Sequence, residues 1–133
     1  MKVIIHLGSP FADREQMFSI IDKILSNHSG IEIVSSSEGL SSHFAAEYAK
    51  SRGFELNFFN RRKRVDTGER ADNFKGMCKY SNAMIAILSS ASNRECVHYA
   101  DRFGLMVRVV NADNDLKNRQ MPPFNTWKKV SMI

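Results

Sequence analysis

Cysteine is nearly absent: the 133 residues hold only Cys78 and Cys96. Two thiols cannot supply the framework of a disulfide-stapled secreted domain, and they lack metal-ligand spacing. Both fall inside expected helices and read as buried thiols of a reducing compartment. Proline is scarce too, with Pro10 alone in the body of the chain and Pro122-Pro123 near its end. No segment is low in complexity or reads as a linker, and there is no internal repeat. Long apolar runs are missing, so none approaches the ~20 residues that span a bilayer. The opening run Met1 to Leu7 is too short for a signal-peptide core and meets a turn. A cytoplasmic protein without a membrane partner is the expectation. The four histidines, His6, His28, His43 and His98, show no metal-binding spacing, and no Walker loop, nucleophile elbow or zinc pattern occurs. Neither a metal nor a cofactor is expected. Acidic residues are outnumbered, 14 against 19 basic, for a formal net charge of +5. That balance favours an anionic partner such as a nucleotide, a nucleic acid or an acidic lipid.

What is present is an alternation of strand and helix. Apolar runs at 3–7, 31–35, 54–59, 83–88 and 105–110 read as strands. Between them, 13–27, 41–52, 69–80 and 94–103 read as helices. The clearest is the first, with Met17, Ile20, Ile21, Ile24 and Leu25 on one face. Gly53 and Gly104 stop the second and fourth helices. The run Ala83 to Leu88 is the most apolar and reads as an interior strand. Five strands alternating with four helices predict an α/β fold: a Rossmann-like, three-layer arrangement with a mostly parallel sheet and helices on both faces. The domain spans 1–110. The tail 111–133, with Phe124, Trp127, Val130 and Met132 as apolar anchors, is expected to pack on the domain or on a partner subunit. A homo-oligomer is expected.

In open α/β sheets, ligands bind beyond the carboxyl ends of the strands, where the strand order reverses, and the ligand is expected over the ends of the first and fourth strands. The strand ends carry Gly8-Ser9, Ser35 to Gly39, Asn60 to Arg64, and Ser89 to Asn93. Small hydroxyl-bearing turns that lead into helices suit phosphate, because a helix start offers unpaired N–H groups and partial positive charge. Short βα turns are also commonly small and polar for structural reasons alone. The run Arg61-Arg62-Lys63-Arg64 reads either as a phosphate or nucleic-acid contact or as a solvated loop. His43, in the first turn of the second helix, reads as facing either ligand or solvent. Phe58 and Phe59 read as core residues, or as a surface on which a base stacks.

Gly8-Ser9, the turn Val34-Ser35-Ser36-Ser37-Glu38-Gly39, the helix Ala45-Ala46-Glu47-Tyr48-Ala49 and the segment Met77-Cys78-Lys79-Tyr80-Ser81-Asn82-Ala83 resemble the SLOG superfamily. This is the Rossmann-like fold of the LOG phosphoribohydrolases and DprA proteins, and the similarity is closest to the small YspA-like branch. It covers about residues 2–110. It implies strand order 3-2-1-4-5, a nucleotide or nucleotide-derived ligand, and frequent oligomers. Where the family's second turn reads Ser-Gly-Gly-Ala-Arg-Gly-Ala-Asp, this chain has Ser35 to Ser42, with serines for the paired glycines. The family's Gly-Thr turn falls near Ser92-Asn93. The LOG motif Gly-Gly-x-Gly-Thr-x-x-Glu is not present, and Glu95 stands one residue out of register with its acidic position. Arg70 is close to an arginine common in the YspA-like branch.

The expected ligand residues are therefore Gly8, Ser9, Ser36, Ser37, Glu38, Gly39, Ser42, Arg61, Arg70, Ser90, Ser92 and Asn93. The expected function is non-catalytic binding of a nucleotide or nucleotide-derived molecule. One version is sequestration of a signalling nucleotide, a cyclic oligonucleotide or an ADP-ribose derivative, as a phage-type inhibitor of immunity. One alternative is a LOG-like hydrolase of an N-glycosidic bond, for which Glu38 or Glu95 would be the catalytic carboxylate. The other is a single-strand nucleic-acid binder like DprA, using Arg61 to Arg64.

Overall fold

The computed structural model describes residues 1–8, 14–36, 39–59, 71–89 and 92–111, the backbone alone for 71–73. The tail anchors Phe124 and Trp127 and the basic run Arg61 to Arg64 lie outside the described residues. In chain order the elements are β1 (Lys2–Leu7), α1 (Arg14–Leu25), β2 (Glu32–Ser36), α2 (Leu40–Arg52), β3 (Glu55–Phe59), α3 (Ala71–Tyr80), β4 (Ala83–Leu88), α4 (Glu95–Arg102) and β5 (Met106–Asn111). All four strand pairings are parallel, and the sheet order is β3-β2-β1-β4-β5. This is the Rossmann-like α/β architecture and strand order expected from the sequence.

The parallel sheet follows from strands with little polar alternation, which must be covered on both faces. All six residues of β4 are buried. Successive side chains of a strand point to opposite faces, and the sheet accordingly separates two cores. Val3, Ile5 and Leu7 of β1 join Met17, Ile20, Ile21 and Ile24 of α1 and Phe44, Ala45 and Tyr48 of α2. Ile4 of β1 and Val34 of β2 join Met77 and Cys78 of α3 and Cys96, Val97 and Ala100 of α4. Each fully buried Ile or Met side chain contributes roughly 1.5–3 kcal/mol before conformational costs are counted.

Hydrogen bonds at the helix ends set two of the element boundaries. At the end of α2, Gly53 has φ 69°, and the Phe54 N–H donates to Ala49 O at 2.9 Å. This left-handed stop is the role expected of that glycine. At the start of α4, Asn93 Oδ1 accepts the Glu95 N–H at 2.8 Å, so the helix begins one residue later than expected. The edge strand β3 departs from its core reading. None of its residues is fully buried, and Phe58 is 42% exposed, because an edge strand has a neighbour on one side only. Among the described residues no helix is long and apolar enough to cross a membrane.

Candidate functional site

The carboxyl edge of the sheet has a closed side and an open side. Between β1 and β4 the ends are tied. Gly8 N–H donates to Ile87 O at 2.8 Å. Ser92 Oγ donates to Gly8 O at 3.1 Å and accepts the Ser89 N–H at 2.9 Å. Gly8 must be small here: a Cβ would stand 2.6 Å from Leu88 Cδ2 and 3.5 Å from His6 Nε2.

Between β1 and β2 the pairing runs from Lys2↔Glu32 to Ile4↔Val34. Farther along, the backbone of β1 turns to a side chain instead of a strand. The Leu7 N–H donates to Ser41 Oγ at 2.8 Å, and Ser41 Oγ lies 3.4 Å from Leu7 O. The first turn of α2 thus occupies the place where β2 would continue. A cleft of about 210 Å³ opens beside it. Its β-strand wall is Ile4, Ile5, His6, Leu7 and Ser36; its rim is Gly39, Leu40 and Ser41; its far wall is Phe74 and Met77 of α3. The His6 and Phe74 rings meet edge to face, with centroids 6.4 Å apart. Leu40 is 57% exposed on the rim. The start of α2 lacks a side-chain cap hydrogen bond at Gly39 and has no acidic residue in its first turn. Among the described residues, then, no side chain caps the N–H groups at that end and none in the first turn carries a negative charge.

The sequence-expected residues fall in several places. Ser36 and Gly39 line the cleft. Gly8 and Ser92 belong to the closed seam between β1 and β4. Ser42 Oγ donates to Gly39 O at 2.9 Å and so holds the turn before α2. Asn93 and Glu95 line a separate hollow of about 340 Å³ along α4, together with Arg94, His98, Tyr99 and Arg102. Ser9, Ser37, Glu38, Arg61, Arg70 and Ser90 lie outside the described residues. His43 is on the outer face of α2, its Nε2 2.8 Å from Glu47 Oε1 and its side chain 80% exposed. Glu47 also pairs with Arg14.

His6, Ser41, Phe74 and Met77 were not among the expected residues. A signal existed for two of them: Phe74 and Met77 are spaced i, i+3 on one helix, which puts them on one face. Ser41 acts through a backbone contact 34 residues away in sequence, which composition does not reveal.

Two other groups are structural. Burial pushes the Cys78 thiol up to about 12, with the nearby Cys96 adding to it, and burial pushes Cys96 up to about 11. Both stay protonated at neutral pH and are poor nucleophiles. Asp22 clamps α1 to α2. It accepts the Tyr48 hydroxyl at 2.7 Å and a fork from Arg52 at 2.9 and 2.8 Å. Burial alone would raise its pKa, but the Arg52 and Tyr48 hydrogen bonds outweigh that and hold it below the ordinary carboxylate value. Among the described residues no group of three or more His, Cys, Asp or Glu side chains is placed to hold a metal ion.

Fold and cleft together define an all-parallel, Rossmann-like α/β domain with an opening at the carboxyl edge of its sheet. No known family model matches the chain, no curated protein matches it, and no solved structure matches it.

Proposed function

We propose that this chain binds a nucleotide or nucleotide-derived small molecule at the carboxyl ends of β1 and β2, and holds it without cleaving it. The observation that carries this reading is the cleft where β1 and β2 part, bordered by α3 and by the start of α2. Apolar walls with a few polar groups are the usual make-up of a small-molecule site. A helix start supplies N–H donors for a phosphate, and the net charge of +5 draws anions toward the molecule. The resemblance to the SLOG superfamily points to the same ligand class.

Binding without turnover is favoured by where the polar groups are engaged. Ser41, Ser42 and Ser92 are committed to backbone hydrogen bonds. Glu95 lines the α4 hollow and not the cleft, so a LOG-like hydrolase would rest on Glu38. In the finer form of the proposal the chain sequesters a signalling nucleotide, part of which lies over the cleft rim.

The test is mass spectrometry of small molecules released by heating purified protein, followed by calorimetry with the released compound. A nucleotide recovered intact after prolonged incubation is the expected result. Release of no nucleotide, together with no heat from millimolar nucleotides, would overturn the reading; conversion of the ligand to free base would replace it with hydrolysis.

A further inference from the structure

We infer that the cleft between β1, β2 and α3 is a base site: it takes the planar heterocycle of the ligand, while the phosphate stays outside. This rests on the nucleotide-binding reading and adds which part of the ligand enters the fold and which residues select it.

Size is the first argument. At about 210 Å³ the cleft is smaller than the roughly 300–1,000 Å³ of sites that enclose a whole drug-sized ligand. It has room for one heterocycle and not for a complete nucleotide. Wall chemistry is the second. Ile4, Leu40, Phe74 and Met77 line it, and no lysine or arginine does so among the described residues. A phosphate drawn inside would lose its hydration against these apolar walls, and none of the described lining residues is a cation to offset the loss. A base loses little, because its faces are apolar and only its edge needs hydrogen bonds.

The third argument is how the polar groups are arranged. His6 and Ser36 come from adjacent strands and share the strand wall of the cleft. An imidazole has two ring nitrogens and a hydroxyl can both donate and accept. Each can therefore meet the edge of a base as well as a partner within the fold. Phe74, partly buried on the opposite wall, supplies a ring suited to the face of a heterocycle, while Met77 is buried in the core. Phe74 is held in place on two sides, by His6 and by Tyr99 at a centroid distance of 5.7 Å. Such a ring is already ordered before a ligand arrives, which lowers the cost of binding.

The experiment is isothermal calorimetry on the full chain with 5′-AMP, GMP, CMP and UMP, the matching nucleosides, and ribose 5-phosphate. The wild type is expected to bind at least one nucleotide and its nucleoside, and to bind ribose 5-phosphate at least tenfold more weakly. Phe74→Ala should weaken that nucleotide by roughly 5- to 100-fold, the range for losing one base–aromatic contact, and leave ribose 5-phosphate unchanged. Phe74→Leu keeps an apolar side chain against Tyr99 and should show the same loss at a nearly unchanged melting temperature, which separates lost stacking from lost folding. Equal binding of ribose 5-phosphate and nucleotide, or full affinity in Phe74→Leu, would overturn the base site while leaving nucleotide binding intact. Binding of none of these probes would overturn the base site; the underlying reading falls only if heating the protein also releases no nucleotide.

Discussion

Gly8 and Asp22 show how single residues set the frame around the cleft. Gly8 lies where β1 meets the end of β4, and the space for a side chain is already filled by Leu88, 2.6 Å from an added Cβ. Gly8→Ala must displace Leu88 or the backbone, and overpacking of this kind costs typically 1–3 kcal/mol. A lower midpoint in urea denaturation with an unchanged slope is the expected outcome. Gly53 makes the contrast. Nothing lies within 4 Å of an added Cβ there, but φ is +69°, so Gly53→Ala should cost only the left-handed backbone strain of roughly 1–2 kcal/mol. Asp22 acts through charge. Its carboxylate is held below the ordinary value by Arg52 and Tyr48, so the folded state binds its proton less readily than the unfolded chain does. The clamp therefore contributes fully above the unfolded value of about 4 and is lost as pH falls below it. Asp22→Asn should lower stability by about 1 kcal/mol at pH 7, a figure kept small because the pair is partly exposed. Denaturation curves of variant and wild type should converge toward pH 2; an equal gap at both pH values would show that the carboxylate charge is not the cause.

At the scale of elements, the start of α2 stands in for a strand. Ser41 is the group that satisfies the Leu7 N–H, and leaving a partly buried amide without a partner costs roughly 1–3 kcal/mol. Ser41→Ala should therefore destabilise by more than Ser42→Ala, whose hydroxyl holds only the Gly39 carbonyl; equal effects in urea denaturation would contradict this. The same element shows what the sequence discloses. The strands were legible because parallel strands covered on both faces read as unbroken apolar runs, as in Ala83 to Leu88. The helices were legible from the spacing of Met17, Ile20, Ile21 and Ile24 and from the stops at Gly53 and Gly104. Of the expected turn Ser35 to Gly39, Ser35 and Ser36 still belong to β2, while Ser36 and Gly39 line the cleft. Hidden was where along the carboxyl edge an opening forms. That depends on the β1–β2 pairing giving way to Ser41 and on the β1–β4 seam closing through Gly8 and Ser92, contacts between residues 34 and 84 apart in sequence. No local pattern encodes such meetings. His6 illustrates the point: it stands in an apolar strand, and only the fold brings it to the wall of the cleft.

At the scale of the whole molecule the sheet is a partition. Ile24 is buried in the core under α1 and α2, and Val97 in the core under α4. Substitutions on the two sides share no neighbours, so Ile24→Val and Val97→Ala should add to within about 0.5 kcal/mol in the double variant. A larger discrepancy in urea denaturation would mean that the cores communicate through the strands. The unequal sides of the carboxyl edge have a mechanical consequence. On one side, backbone and serine bonds lock β1 to β4; on the other, one serine hydroxyl bridges β1 to α2. If ligand binding moves this edge, the side-chain bond of Ser41 is expected to yield before the backbone bond of Gly8. Hydrogen exchange would read this directly: the Leu7 amide, held by a side chain, should exchange faster than the Gly8 amide, held by the Ile87 carbonyl, and should slow when ligand binds.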